Sequence, residues 1–179
     1  AGRFNMTFNA TAFSVTNTGP ASVGLVLDIC SQPPTTPPVG VGSTNPGTVN
    51  ELTSVDLFVT VTGGANPPST GIGVMIDASL IGGSGSLALL DDGVAPDLFA
   101  GDNIFSGTVA TTVPAAVYNL PFVVSDAEMR SSNGNLAVNI VVINGGCCAP
   151  DTSCSIAGPI NCMASGGTYQ GANTSCGGD

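Results

Sequence analysis

The stretch DDGVAPDLFAGDN, Asp91 to Asn103, gathers Asp91, Asp92, Asp97 and Asp102 in one short glycine-containing segment. Calcium takes roughly six to eight oxygen ligands from carboxylates and carbonyls, so these four aspartates are candidate calcium ligands. Their spacing is not that of an EF-hand, and aspartate or asparagine before glycine also caps turns through its own backbone. A bound calcium would stiffen a loop here, and it is the one cofactor the chain suggests.

The cysteines offer a second chemistry. Cys147, Cys148, Cys154, Cys162 and Cys176 crowd the last part of the chain, and Cys30 stands alone far upstream. Paired C-x₂₋₄-C hooks with histidines, the usual frame of structural zinc, are absent. A C-x-x-C redox motif is absent too, and no cation lies nearby in sequence to activate a thiol. An even set of cysteines in a Gly-rich stretch too poor in apolar residues to build a core suits a disulfide framework, and hence an oxidising, extracellular compartment. Five tail cysteines cannot pair completely among themselves. If all six are oxidised, Cys30 bonds to a tail cysteine of its own chain or of a neighbour, and sequence alone leaves 15 connectivities open.

Other chemistries lack their residues. The chain has no histidine, lysine or tryptophan, which rules out Ser-His-Asp, Cys-His and Ser-Lys arrangements. GGSGS misses the last position of a G-x-S-x-G elbow, and no G-K-[ST] is present to cradle phosphate. A carboxylate pair for glycoside hydrolysis would need an aromatic-lined cleft, and the only tyrosines are Tyr118 and Tyr169. The expectation is a non-enzyme. Two cations, Arg3 and Arg130, face twelve carboxylates for a net charge of −10, which argues against nucleic acid or anionic lipid as partner. No apolar run approaches the roughly 20 residues of a membrane span, and Ala1 opens no signal-peptide pattern, so the chain reads as soluble and processed.

The elements that must position these residues are strands. SVDLFVTVTG alternates Val55, Leu57, Val59 and Val61 against Asp56, Thr60 and Thr62, with Phe58 out of pattern. GIGVMIDASL places Ile72, Val74, Ile76 and Leu80 in phase. SLALL, NIFSGTVAT, AVYNLPFVVSD and NLAVNIVVIN read as further strands, separated by turn signals such as Asn66-Pro67-Pro68, Asp92-Gly93 and Asn133-Gly134. Six strands between residues 50 and 144 predict an all-β, immunoglobulin-like β-sandwich, one strand short of the usual seven.

Upstream, residues 1–31 predict a strand pair. Phe4, Met6, Phe8 and Ala10 alternate cleanly with Asn5, Thr7 and Asn9, and Val23, Leu25, Leu27 and Ile29 form the second apolar face. Two strands alone are marginal in water and must pack on something. Residues 32–49, rich in Pro, Gly and Thr, read as an extended linker. A long tether, a clean amphipathic strand and a sandwich lacking one strand together suggest donor-strand assembly, with Phe4, Met6, Phe8 and Ala10 as the assembly strand; the alternative is that the N-terminal strands fold back on their own sandwich. Such head-to-tail contacts propagate into an open filament of identical copies.

The segment NPPSTGIGVMIDASLIGGSGSLALLDDGVAPDLFAGDNIFSGTV, with LPFVVSDAEMRSS after it, resembles the Ig-like repeats of large secreted bacterial proteins, often of the choice-of-anchor type and especially from planctomycete-like genomes. The tail GGCCAPDTSCSIAGPINCMASGGTYQGANTSC resembles the Cys-rich modules of GACC type found beside such repeats. Together they cover about Pro46 to Cys176. The resemblance implies a secreted, non-catalytic module and names no substrate; the N-terminal strand pair lies outside it. Candidate modification sites are the sequons at Asn5, Asn9 and Asn173 and the linker threonines Thr35 and Thr36.

The sequence therefore divides into a strand pair (1–31), a linker (32–49), a sandwich (50–144) and a Cys-rich disulfide tail (145–179). It predicts a structural subunit of an extracellular filament, sheath or surface layer. The alternative is an accessory calcium- or glycan-binding module of a secreted enzyme or adhesin.

Overall fold

The computed structural model describes residues 34–177 and the backbone of Thr16–Asn17 and Val23–Gly24. The chain divides into two compact units, Ala1–Pro34 and Thr35–Asp179. In the first, β1 (Thr16–Asn17) pairs antiparallel with β2 (Val23–Gly24), Thr16 opposite Gly24. The expected assembly strand Phe4, Met6, Phe8 and Ala10, the sequons at Asn5 and Asn9, and Cys30 lie outside the described residues.

The second unit is all-β, apart from a 3-10 turn (Ser79–Ile81) and one short helix. Eight strands make two facing sheets: β3 (Val39–Asn45), β4 (Thr48–Asn50), β5 (Ser54–Thr62), β6 (Gly73–Ile76), β7 (Leu87–Leu89), β8 (Ile104–Ala110), β9 (Ala116–Ser125) and β10 (Ser131–Val141). One sheet runs β3-β5-β8 and the other β4-β10-β9-β6-β7. All neighbours are antiparallel except β4, which lies parallel to β10 with Thr48 opposite Asn139. The first stretch of chain thus serves both sheets, crossing over between Asn45 and Thr48. With β5 beside β3 and β8, and β9 between β10 and β6, this is the immunoglobulin-like sandwich.

Six of the eight strands are those the alternating pattern marks. Their inward residues interlock across the sheets: Val55, Leu57, Val59 and Val61 from β5 meet Val74, Ile76, Leu120, Phe122, Val124, Leu136, Val138 and Ile140, all buried. Each such side chain contributes about 1.5–3 kcal/mol on leaving water. Leu80 departs from its expected place: β6 ends at Ile76, the 3-10 turn shifts the period, and Ile81 is buried while Leu80 is exposed.

The linker expectation for residues 32–49 is corrected. Residues 39–50 supply β3 and β4, so the sandwich is not short of a strand. The physical reason is an inverted pattern. In VGVGSTN the glycines face inward and the valines outward. A Cβ on Gly40 would stand 2.8 Å from Val124 Cγ2 and Val59 Cγ1, and one on Gly42 2.8 Å from Leu136 Cβ. Only glycine lets β3 approach the opposite sheet this closely. Val39 and Val41 are left on the outer face, 50% and 72% exposed.

The tail folds onto the end of the sandwich as a small sheet in the order β12-β11-β13: β11 (Gly145–Cys148) between β12 (Cys154–Ala157) and β13 (Thr168–Tyr169), with α1 (Pro159–Ala164) connecting the last two. Its ties to the sandwich are polar. The buried Glu51 carboxylate accepts the Ala115 N–H at 2.8 Å and the Ile160 N–H at 3.4 Å, and the Tyr169 hydroxyl donates to the Ile143 carbonyl at 2.7 Å.

Candidate functional site

The loop between β7 and β8 draws three of the four candidate aspartates together. One carboxylate oxygen from each of Asp91, Asp97 and Asp102 lies within 4.8 Å of the others. Asp92 stands outside this group; its Oδ1 accepts the Val94 N–H at 2.9 Å within its own turn. The other three are also turn caps. Asp91 accepts the N–H groups of Gly101 at 2.6 Å, Asp102 at 3.2 Å and Asn103 at 2.9 Å. Asp97, buried, accepts from Gly93 at 2.6 Å and Phe99 at 3.2 Å, and Asp102 accepts from Ile104 at 2.9 Å. The Gly93 N–H is the main reason the Asp97 carboxyl stays below its ordinary range, against the opposing pull of burial. The arrangement holds three negative charges close together on backbone donors, a charge density that a divalent cation would offset.

The same loop explains Phe58. Its side chain belongs to the outer face of β5, where with Leu98, Phe99 and Ile104 it lines a groove of about 640 Å³ whose rim includes Asp97 and Asp102. Leu98 and Phe99 are 79% and 69% exposed. Sequence alternation marked Phe58 as an exception without showing what would stand beside it.

The edges of the sandwich differ sharply. β4 and β7, at the two edges of the larger sheet, are three residues each. β8 is bridged outside its sheet by Leu90 opposite Ser106. β3 is seven residues long, matched to β5 from Val39 opposite Thr62 to Asn45 opposite Asp56, with no strand on its other side among the described residues. It carries no charge. Natural edges are usually shortened, charged or covered, because an open row of N–H and C=O groups recruits another strand. The inverted Val/Gly pattern that hid β3 from periodicity is also what leaves Val39 and Val41 on the outer face of this edge, beside Ser43 and Asn45.

Two disulfides close the tail, Cys147–Cys162 and Cys154–Cys176, and Cys148 is unpaired and exposed. These two bonds, with no helix long and apolar enough to cross a membrane among the described residues, are compatible with an extracellular protein. Asn173 is exposed in a turn, φ 60°, its N–H donating to Asn144 O at 2.9 Å. Thr35 and Thr36 are exposed, and Thr36 bridges to Ala65.

Arg130, which no motif marked, is the most connected side chain of the sandwich. Its Nε donates to Asp126 Oδ2 at 2.9 Å, its Nη1 to the carbonyls of Thr36 and Ala65 at 2.9 Å each, and its Nη2 to Ser69 Oγ at 3.1 Å. One side chain thus pins the entry to β3, the turn after β5 and the hairpin between β9 and β10.

No protein-family model, no curated protein and no solved structure matches the chain.

Proposed function

We propose that this chain is a structural subunit of an extracellular filament, sheath or surface layer, assembled by adding a strand of one copy to the β3 edge of the next. The observation that carries this reading is the seven-residue, uncharged, open edge of β3 with Val39 and Val41 exposed beside it. The donor is the N-terminal stretch with Phe4, Met6, Phe8 and Ala10 on one face. Set beside β3, those residues form aromatic and β-branched cross-strand pairs with Val39 and Val41, and the main chains supply the hydrogen bonds. The strand extends an edge and fills no gap, since the sandwich is complete. Covalent reinforcement falls to cysteine, because isopeptide chemistry would need lysine. Cys148 is the exposed tail thiol available to Cys30 of a neighbouring copy.

Electron microscopy of native, unreduced material tests the reading directly. Filaments or sheets are expected, and dispersed single particles would overturn it. The double variant Val39→Lys/Val41→Lys charges the edge without touching the core. It should abolish assembly while changing the stability of the monomer by no more than about 0.5 kcal/mol. Assembly at wild-type level in that variant would show that β3 is not the acceptor.

The second reading, an accessory calcium- or glycan-binding module, is favoured by the convergence of Asp91, Asp97 and Asp102, two of which, Asp97 and Asp102, line the groove. It predicts that millimolar calcium raises the melting temperature of the chain and that Asp97→Asn removes the increment. A thermal curve indifferent to calcium counts against it.

A further inference from the structure

The tail sheet sets a thiol against a disulfide. Cys148 on β11 is directly opposite Cys154 on β12. Opposed residues of an antiparallel pair point to the same face, with Cβ atoms about 4.5–5.5 Å apart, close to the roughly 3.5–4.5 Å that a disulfide spans. Cys148 carries a free thiol, Cys154 is bonded to Cys176, and all three residues are exposed. Cys147, one position earlier, faces Ser155 from the other side of the sheet and is bonded to buried Cys162. Strand alternation thus separates two sulfur systems, a closed one inside and an open one on the surface.

We infer that Cys148 and the Cys154–Cys176 disulfide form an internal thiol–disulfide exchange relay. The Cys148 thiolate, its proton lost to water, attacks Cys154 Sγ. A Cys148–Cys154 bond forms, the Cys154–Cys176 bond breaks, and Cys176 leaves as a thiolate that takes a proton from water. One disulfide and one thiol exist before and after, so no oxidant or reductant is consumed. Attack falls on Cys154 because the strand register places that sulfur opposite the nucleophile. The consequence is a change of address for the reactive thiol, from the central strand of the tail sheet to the segment after β13. That segment is otherwise tied down at Asn173, whose N–H donates to Asn144 O at 2.9 Å, and at Thr174, whose hydroxyl accepts the Gly146 N–H at 2.7 Å. Cys176 is then the position at which a second thiol-bearing molecule would be captured as a mixed disulfide. The inference needs only the tail and stands apart from the assembly reading.

The test is alkylation of the full-length Cys30→Ser chain near pH 8, quenched in acid and mapped by non-reducing peptide mass spectrometry. Label is expected on both Cys148 and Cys176, together with a Cys148–Cys154 cross-linked peptide. Adding Cys148→Ser should lower labelling of Cys176 by about tenfold or more. Adding Cys176→Ser instead should yield a chain in which mild oxidation joins Cys148 to Cys154 and protects both. Label confined to Cys148 over an intact Cys154–Cys176 bond would overturn the inference. So would undiminished labelling of Cys176 without Cys148, or a Cys176→Ser chain whose Cys148 and Cys154 stay alkylatable after oxidation.

Discussion

Arg130→Met lowers the melting temperature by about 10 °C and flattens the loss of stability in acid. Methionine keeps the length and apolar stem of the side chain, so the effect isolates the guanidinium. Removing it takes the paired charge from the Asp126 carboxylate, whose side chain is fully buried, and takes one of two donors from each of the Thr36 and Ala65 carbonyls, which keep only each other's backbone N–H. Breaking one half of a buried pair is among the most damaging single changes, about 3–5 kcal/mol in general, and for a chain of this length each kcal/mol moves the melting temperature by about 2–4 °C.

The pH dependence has a definite sign. Burial pushes the Asp126 carboxyl upward, but the Arg130 backbone N–H, the Ser69 hydroxyl and the Arg130 guanidinium together outweigh it and hold the group below its ordinary range. A depressed folded-state value stabilises above the unfolded value of about 3.9, and that contribution disappears as pH falls through the folded one. The natural chain therefore loses stability below about pH 4, and the Arg130→Met chain, with less depression to lose, shows a shallower acid limb in denaturant titrations. Superimposable acid limbs would mean that the ion pair is not their source. The double variant Arg130→Met/Asp126→Asn should recover part of the loss, because the buried carboxylate charge is removed along with its partner.

Replacing both Cys147 and Cys162 by alanine unfolds the tail and spares the sandwich. Among the described residues of the tail, the buried ones are Gly145, Gly146, Cys147, Gly158 and Cys162. No aliphatic or aromatic side chain is among them, so a disulfide stands where a larger module would place a core. It closes a separation of 15 residues, for which the chain-entropy model gives about 3 kcal/mol. Amide hydrogens of β11 to β13 should exchange about 100-fold faster in the variant, while those of β9 and β10 keep their protection. Retained protection in β11 would show that the hydrogen bonds to Glu51 and Ile143, not the disulfide, hold the tail.

Much of the fold was legible in the sequence, because it is written in local period. The six strands from Ser54 to Val141 follow apolar alternation, and the spacing of the tail cysteines pointed to a covalent frame in place of a metal site. β3 was not legible. Its glycines face the core and its valines face water, the reverse of what periodicity detects, and the need for glycine comes from Val59, Val124 and Leu136, residues supplied by other strands.

The candidate site divides along the same line. Composition alone determined which chemistries this chain lacks residues for, and the aspartate run marked the loop. That Asp91, Asp97 and Asp102 converge while Asp92 stands outside the group depends on loop backbone geometry that residue types do not specify. Likewise the cysteine count allowed 15 pairings, and only the fold shows Cys148 free and set opposite Cys154 by the register of β11 against β12. Arg130 gathers partners up to 94 positions away in the chain. A sequence determines by itself what depends on neighbours a few residues apart, such as strand period, turn chemistry and the inventory of reactive groups. Which of those groups meet is decided by the packing of two sheets and a tail, where the contacts that matter join residues remote in the chain.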